Sequence, residues 1–151
     1  MTNEELKIKI TELFPSATFE EGGEWITFFV ESLNWKNIAE QLRSSDDLDL
    51  DFLFCLTCVD WKTHLTMVYH LTSTKFRHTI VIKSKLDRNN PEIETVSDIW
   101  RTAEFHEREA FDLLGVKFLN HPDLRRLFLT DEWNGFPLRK DYEDLVNMIK
   151  L

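Results

Sequence analysis

Glycine is scarce in this chain: its 151 residues hold four, Gly22, Gly23, Gly115 and Gly135. None belongs to G-x-G-x-x-G or G-x-x-x-x-G-K-[ST]. Both nucleotide cradles need glycines that let backbone N–H groups close on phosphate, so both are excluded. A G-x-S-x-G nucleophile elbow is missing as well. Basic charge is also short. A net charge of −9 argues against a general nucleic-acid binder, which needs a basic surface for phosphates, and against docking on anionic lipid by charge alone. No apolar run approaches the ~18–20 residues of a membrane span. The opening MTNEELKIKI is acidic and too broken by charge for a signal-peptide core. The chain is therefore expected to stay in the compartment where it is made, dissolved or held there by partners.

Cysteine is limited to Cys55 and Cys58, a single C-x-x-C inside FCLTCVDW. A redox pair needs its first thiol at a helix N-terminus, where the helix dipole lowers the thiol pKa. These surroundings read as a strand, which sends the two side chains to opposite faces. Structural zinc would need two further ligands, and neither a second C-x-x-C nor an H-x₃-H is present. Buried, inert cysteines are expected.

What is there reads as one α+β domain. Thr2-Asn3-Glu4-Glu5 has the form of a capping box, and Leu6, Ile10, Leu13 and Phe14 follow at helical spacing until Pro15. Gly22-Gly23, between Phe19 and the run Trp25 to Val30, signals a hairpin. Trp35, Ile38, Ala39 and Leu42 mark a second amphipathic helix. Strands are predicted over Phe52–Asp60, Leu65–Thr72 and His78–Lys85, joined by short connections. Thr95-Val96-Ser97-Asp98 predicts the start of a third helix that Gly115 can end. Grouped strands in the order α-β-β-α-β-β-β-α imply a two-layer sandwich, helices on a mixed or antiparallel sheet, over residues 1–115. Residues 116–151 form an extended C-terminal arm. It is too apolar for a free loop and too broken for one helix, so it must bury side chains on its own domain or on something else.

Charge and apolar residues mix most densely between Glu107 and Leu129. Trp100, Ala103, Glu107, Ala110 and Leu114 share one helical stripe, which places Glu107 inside an apolar face. A carboxylate there must find a cation or take up a proton. One reading is a brace in which Glu107 or Glu109 meets Arg125, Arg126 or Arg139 of the arm; the other is acid–base or proton-relay work. Glu104 and Arg108 have the i, i+4 spacing of a surface pair. His106, Glu109 and His121 could be assembled into a metal site on paper, but no second cluster accompanies them. Pro122 favours extended backbone at His121, where bonding to local backbone is expected.

Glu107-Arg108-Glu109, Asp112, Leu113-Leu114, His121, Pro122 and Arg125 together resemble the hallmark of the C subunit of proton-pumping NADH–quinone oxidoreductase, respiratory complex I. Gly135-Phe136-Pro137-Leu138-Arg139-Lys140-Asp141-Tyr142 is similar to that family's G-x-P-L-R-K-D-[FY] ending, and Val59-Asp60-Trp61 to its V-D-[WY]. Phe136 stands where many members have His, so an imidazole at that position is not essential. The resemblance implies a scaffold protein of the peripheral arm, without a cofactor or metal of its own, that supports electron transfer from NADH to quinone coupled to proton translocation. FMN and iron–sulfur clusters would sit in partner subunits. The implied partners are other peripheral-arm subunits, especially those lettered B, D and I, at the cytoplasmic face of the inner membrane, with no span and no nucleic acid. Glu107, Arg108, Glu109, Asp112, His121, Pro122, Arg125, Arg126, Arg139, Lys140 and Asp141 would then form an interface motif. An equivalent scaffold protein of a membrane-bound hydrogenase or another complex I-like dehydrogenase is the alternative.

Overall fold

Thr2 opens the first helix as its sequence predicts. Its hydroxyl accepts the Glu5 N–H while the Glu5 carboxylate accepts the Thr2 N–H, satisfying two otherwise orphaned donors. A computed structural model describes residues 2–143. The elements are α1 (Asn3–Leu13), β1 (Thr18–Glu20), β2 (Ile26–Phe29), a 3₁₀ turn (Ser32–Asn34), α2 (Trp35–Ser44), β3 (Phe52–Asp60), β4 (His64–Thr72), β5 (Thr79–Asp87), β6 (Glu92–Glu94), α3 (Ala103–Leu114) and β7 (Lys117–Leu119).

β1 to β5 form one mixed sheet in the order β1-β2-β5-β4-β3. Only the β2–β5 pair, Ile26↔Ile80 to Phe29↔Lys83, is parallel. Alternation along the strands separates two faces. Leu53, Leu56, Leu65, Met67, Tyr69, Leu71, Ile80 and Ile82 turn inward, where they meet Leu6 and Ile10 of α1, Trp35, Ala39 and Leu42 of α2, and Ala110 and Leu114 of α3. Each large side chain sealed there contributes about 1.5–3 kcal/mol. The α+β sandwich read from the sequence is therefore the observed architecture. Cys58 lies on the inner face and Cys55 is half-buried, opposite His70 of β4; both are free thiols. Burial, with Asp60 adding to it, pushes the Cys58 thiol up to about 12.

Two features depart from the sequence reading. The third helix begins at Ala103, not at the Thr95–Asp98 box. The Thr95 hydroxyl is occupied elsewhere, 2.5 Å from Glu107 Oε1. The Trp100 indole N–H donates to Leu50 O and the Thr102 hydroxyl to Leu53 O, so side-chain anchors hold residues 96–102 in turns. Gly115 ends the helix as expected, at φ +80°. The second departure is a parallel two-stranded sheet of β6 and β7, which no sequence pattern announces. It is extended at its ends by Lys117 N–H to Pro91 O and Thr95 N–H to Leu119 O. The segment expected to be extended from residue 116 thus starts as a strand, and residues 120–143 follow without helix or strand.

Candidate interface

Helix α3 presents Arg108 and Asp112 one turn apart, both buried. Arg108 donates through Nε to Arg125 O and through Nη2 to Arg126 O, each at 3.2 Å. Asp112 Oδ2 accepts three successive backbone N–H groups, from Leu127 (3.2 Å), Phe128 (2.7 Å) and Leu129 (3.1 Å). Its Oδ1 meets Arg126 Nη1 at 3.2 Å. Burial alone would raise the Asp112 pKa; these amides and the guanidinium outweigh it and hold the carboxyl below its usual range. Arg126 continues through Nη2 to Trp133 O and Gly135 O, fixing the next turn of chain. Two side chains of one helix and one arginine of the arm thus bind seven backbone groups between residues 125 and 135.

The helix end carries the next contact. Arg139 Nε donates to Leu114 O at 2.7 Å, and a cation at a helix C-terminus also suits the dipole. The guanidiniums of Arg126 (5.3 Å) and Arg139 (5.2 Å) both lie over the Phe136 ring. Gly115 is what lets that ring approach: a Cβ there would stand 2.7 Å from Phe136.

The arm's last described turn is held by Asp60 at the end of β3. Its carboxylate accepts the N–H of Lys140 (2.8 Å) and of Lys62 (2.7 Å) and pairs with Arg88, which also reaches Asp141 at 3.0 Å. Burial acts to raise the Asp60 pKa, but Arg88 and the two amides prevail and lower it to about 2. Sequence reasoning misses Arg88, because nothing in the spacing from residue 60 to 88 marks the pair.

The brace expected at Glu107 or Glu109 is corrected by this geometry. Glu109 is exposed and forms no ion pair among the described residues. Glu107 is fully buried and meets no arginine: it takes the Thr95 hydroxyl on Oε1 and the Val96 N–H on Oε2 at 3.1 Å. Burial, only partly offset by these bonds, raises its pKa to about 7. The α3 carboxylate that does pair with the arm is Asp112, three residues beyond Glu109. Arg108 spends its donors on carbonyls of the arm rather than on Glu104.

His121 bonds local backbone, as expected. Nδ1 accepts the Asp123 N–H at 3.0 Å, which leaves the proton on Nε2, 3.1 Å from Glu104 O and 3.8 Å from Glu107 Oε1. Among the described residues no group of three His, Cys, Asp or Glu side chains could hold a metal, so His106, Glu109 and His121 do not assemble. The arm's apolar side chains divide: Val116 and Phe118 enter the core and Leu124 packs against it, while Phe128 (65% exposed) and Leu138 remain outside, as does Phe105 of α3 (58%).

Two solved structures share the fold. One is described as Nqo5, a trypsin-resistant fragment of residues 1–134, with TM-score 0.70, 22% identity, and coverage of 82% of this chain and 100% of that one. The other is the membrane-bound sulfane sulfur reductase, an archaeal respiratory membrane complex, with TM-score 0.76, 26% identity, and coverage of 94% and 86%. The sequence profile described as "Respiratory-chain NADH dehydrogenase, 30 Kd subunit" matches residues 28–145, and the chain belongs to that family.

Curated relatives agree. The C subunit of NADH-quinone oxidoreductase from Moorella thermoacetica is 38% identical over 136 residues, 89% of this chain and 90% of that protein. Its counterpart from Citrifermentans bemidjiense is 37% identical over 146 residues, 93% and 89%. The C/D subunit from Phocaeicola vulgatus is 46% identical over 114 residues, 74% of this chain, but the chain spans only 22% of that relative's length.

Proposed function

We propose that the chain is a scaffold protein, without cofactor or metal of its own, in the peripheral arm of an NADH–quinone oxidoreductase. It supports electron transfer from NADH to quinone coupled to proton translocation, with FMN and iron–sulfur clusters in its partners. The observation that carries this reading is the clamp of Arg108 and Asp112, which spends buried charge on ordering a tail while Phe105 and Phe128 stay bare beside it. Exposed aromatic side chains beside an ordered backbone are the kind of anchor that a partner's surface covers. Glu107, Arg108, Glu109, Asp112, His121, Pro122, Arg125, Arg126, Arg139, Lys140 and Asp141 form or support that interface, with residues 116–151 as its arm. The B, D and I subunits are the proposed neighbours. Relatives that bear the double name C/D support contact with the D subunit, because two functions joined in one chain are held at short range. The same reading puts the chain at the cytoplasmic face of the inner membrane, held there through its partners; no described helix is long and apolar enough to cross a membrane.

The likeness to the sulfane sulfur reductase favours one second reading, the same scaffold role in a related membrane-bound complex with a different electron donor. Purification through a tag on this chain tests both. Copurification of FMN- and cluster-bearing subunits with NADH–quinone turnover is expected. Recovery of a complex that reduces another substrate selects the second reading. A pure, isolated chain that carries stoichiometric flavin or metal and turns over NADH would remove the scaffold role.

A further inference from the structure

The 3₁₀ turn Ser32–Asn34 carries the most exposed large hydrophobic side chain described, Leu33 at 97%. The turn is a built element, closed by Asn34 N–H to Glu31 O and running directly into α2, whose buried face is Trp35, Ala39 and Leu42. Leu33 therefore lies outside the core-facing stripe and is held out by its neighbours. It borders a groove of about 260 Å³ with Leu86 and Ile93 as buried floor and Leu119 opposite. Behind the turn, Glu31 and Asn34 border a larger cleft of about 410 Å³ lined by Phe14, Val30 and Ile38.

Carboxylates outnumber cations around this ridge: against four of them stand Lys85, at the larger cleft, and Lys117, in register with Glu92 across β6 and β7. Asp87, Glu92 and Glu94 line the smaller groove, and Glu31 stands on the other side. Their described partners are uncharged: Asn89 N–H for Asp87 and the Asn120 amide for Glu94. Among the described residues no lysine, arginine or histidine forms an ion pair with any of the four carboxylates. Lys85, which borders the larger cleft, lies over the Phe29 ring. The imbalance is regional: the whole net charge of −9 belongs to residues 1–115, and residues 116–151 are balanced.

We propose that this ridge is a second docking surface, separate from the arm, which takes a basic segment of a partner protein bearing an aliphatic side chain between lysines or arginines. The inference rests on the scaffold reading above. Leu33 and the groove floor supply the apolar contact, while the four carboxylates set the sign of the partner and steer its approach. The same charge opposes anionic lipid and a second copy of this acidic face.

The test places p-benzoylphenylalanine at position 33 of the full chain, irradiates the purified complex and identifies the joined peptide by mass spectrometry. The expected product is one partner peptide with lysine or arginine flanking the joined residue. Its yield falls as salt is raised, and falls about tenfold in the E92K/E94K double variant, where two attractions become repulsions. Glu92 and Glu94 are half-buried, so the variant's incorporation into the complex is scored separately by subunit stoichiometry. A complex that contains the chain but gives no product overturns this proposal alone. So does a product with an acidic or uncharged peptide, a lipid or a second copy. A chain that enters no complex overturns it together with the scaffold reading.

Discussion

The sandwich and the tail of this molecule are held by opposite kinds of bond. In the sandwich, Trp35, Phe28, Leu42, Met67 and Tyr69 exclude water from between helices and sheet. Residues 125–141 have few buried side chains of their own, and their backbone is bound by the buried charges of Arg108, Asp112 and Asp60. Apolar burial tolerates small shifts because it scales with area. Three N–H groups on one carboxylate oxygen do not, because hydrogen bonds weaken steeply with angle. The first arrangement makes a stable body; the second sets the position of a particular stretch of chain. The contrast explains how a tail that leaves Phe128 and Leu138 in water can still have a defined course.

The sharpest way to break the contrast is Asp112→Ala, which strands Arg126 and three amides at once. Removing one partner of such a buried pair costs about 3–5 kcal/mol. The loss should appear as fast amide exchange and protease cleavage within residues 120–140, with the body's circular dichroism unchanged. Simultaneous loss of the body would show that the two regions are one cooperative unit.

Glu107→Gln probes the body through pH. The folded-state pKa of about 7 lies above the ordinary 4.5, so the folded protein holds this proton more tightly than the unfolded chain. The resulting stability is fully present below about pH 4.5 and is lost as pH rises through about 7, a change of about 3 kcal/mol. Denaturation midpoints at pH 5 and pH 8 should therefore differ in the parent protein. The glutamine variant should lack that part of the difference.

Gly115→Ala tests the close approach of Phe136. A side chain at φ +80°, 2.7 Å from the ring, should cost about 1–3 kcal/mol and release the Phe136–Arg139 turn first. Nuclear magnetic resonance shifts of the Phe136 ring report this directly.

The smallest effect belongs to Arg125→Ala. Its only described side-chain partner is Asp123, with both groups exposed, so the isolated chain should lose at most ~1 kcal/mol. A loss of assembled complex much larger than this would locate Arg125 at the partner's surface.

Much of the body is legible in the sequence because its signals are local and repeated. Alternation along residues 52–60, 64–72 and 79–87 marks strand bounds within a residue or two, and the Thr2 and Gly115 caps stand where their chemistry places them. β6 and β7 are not legible, since three residues cannot display a period. The Thr95–Asp98 box misleads because a hydroxyl that can cap a helix can equally serve a buried carboxylate, and Glu107 lies too far along the chain for local pattern to decide. In the interface, the right charges are visible but not their pairing. Glu107, Glu109 and Asp112 differ in sequence only by position on one helix, and which of them meets the tail depends on the path of residues 120–129. Asp60 and Arg88 are joined across β4, from the ends of β3 and β5, a geometry that exists only after the sheet is built.

The single parallel pair in the sheet has a consequence for the order in which the molecule forms. β3, β4 and β5 are linked by tight turns and can pair soon after they collapse, since each contact closes a short loop. β2 must wait for β5, because Ile26 finds Ile80 only across the intervening α2, β3 and β4. Long-range pairing of this kind slows folding. The β2–β5 pair is also what covers one edge of the central strand, so a chain in which that pairing is broken would offer the edge of β5 to another copy of itself.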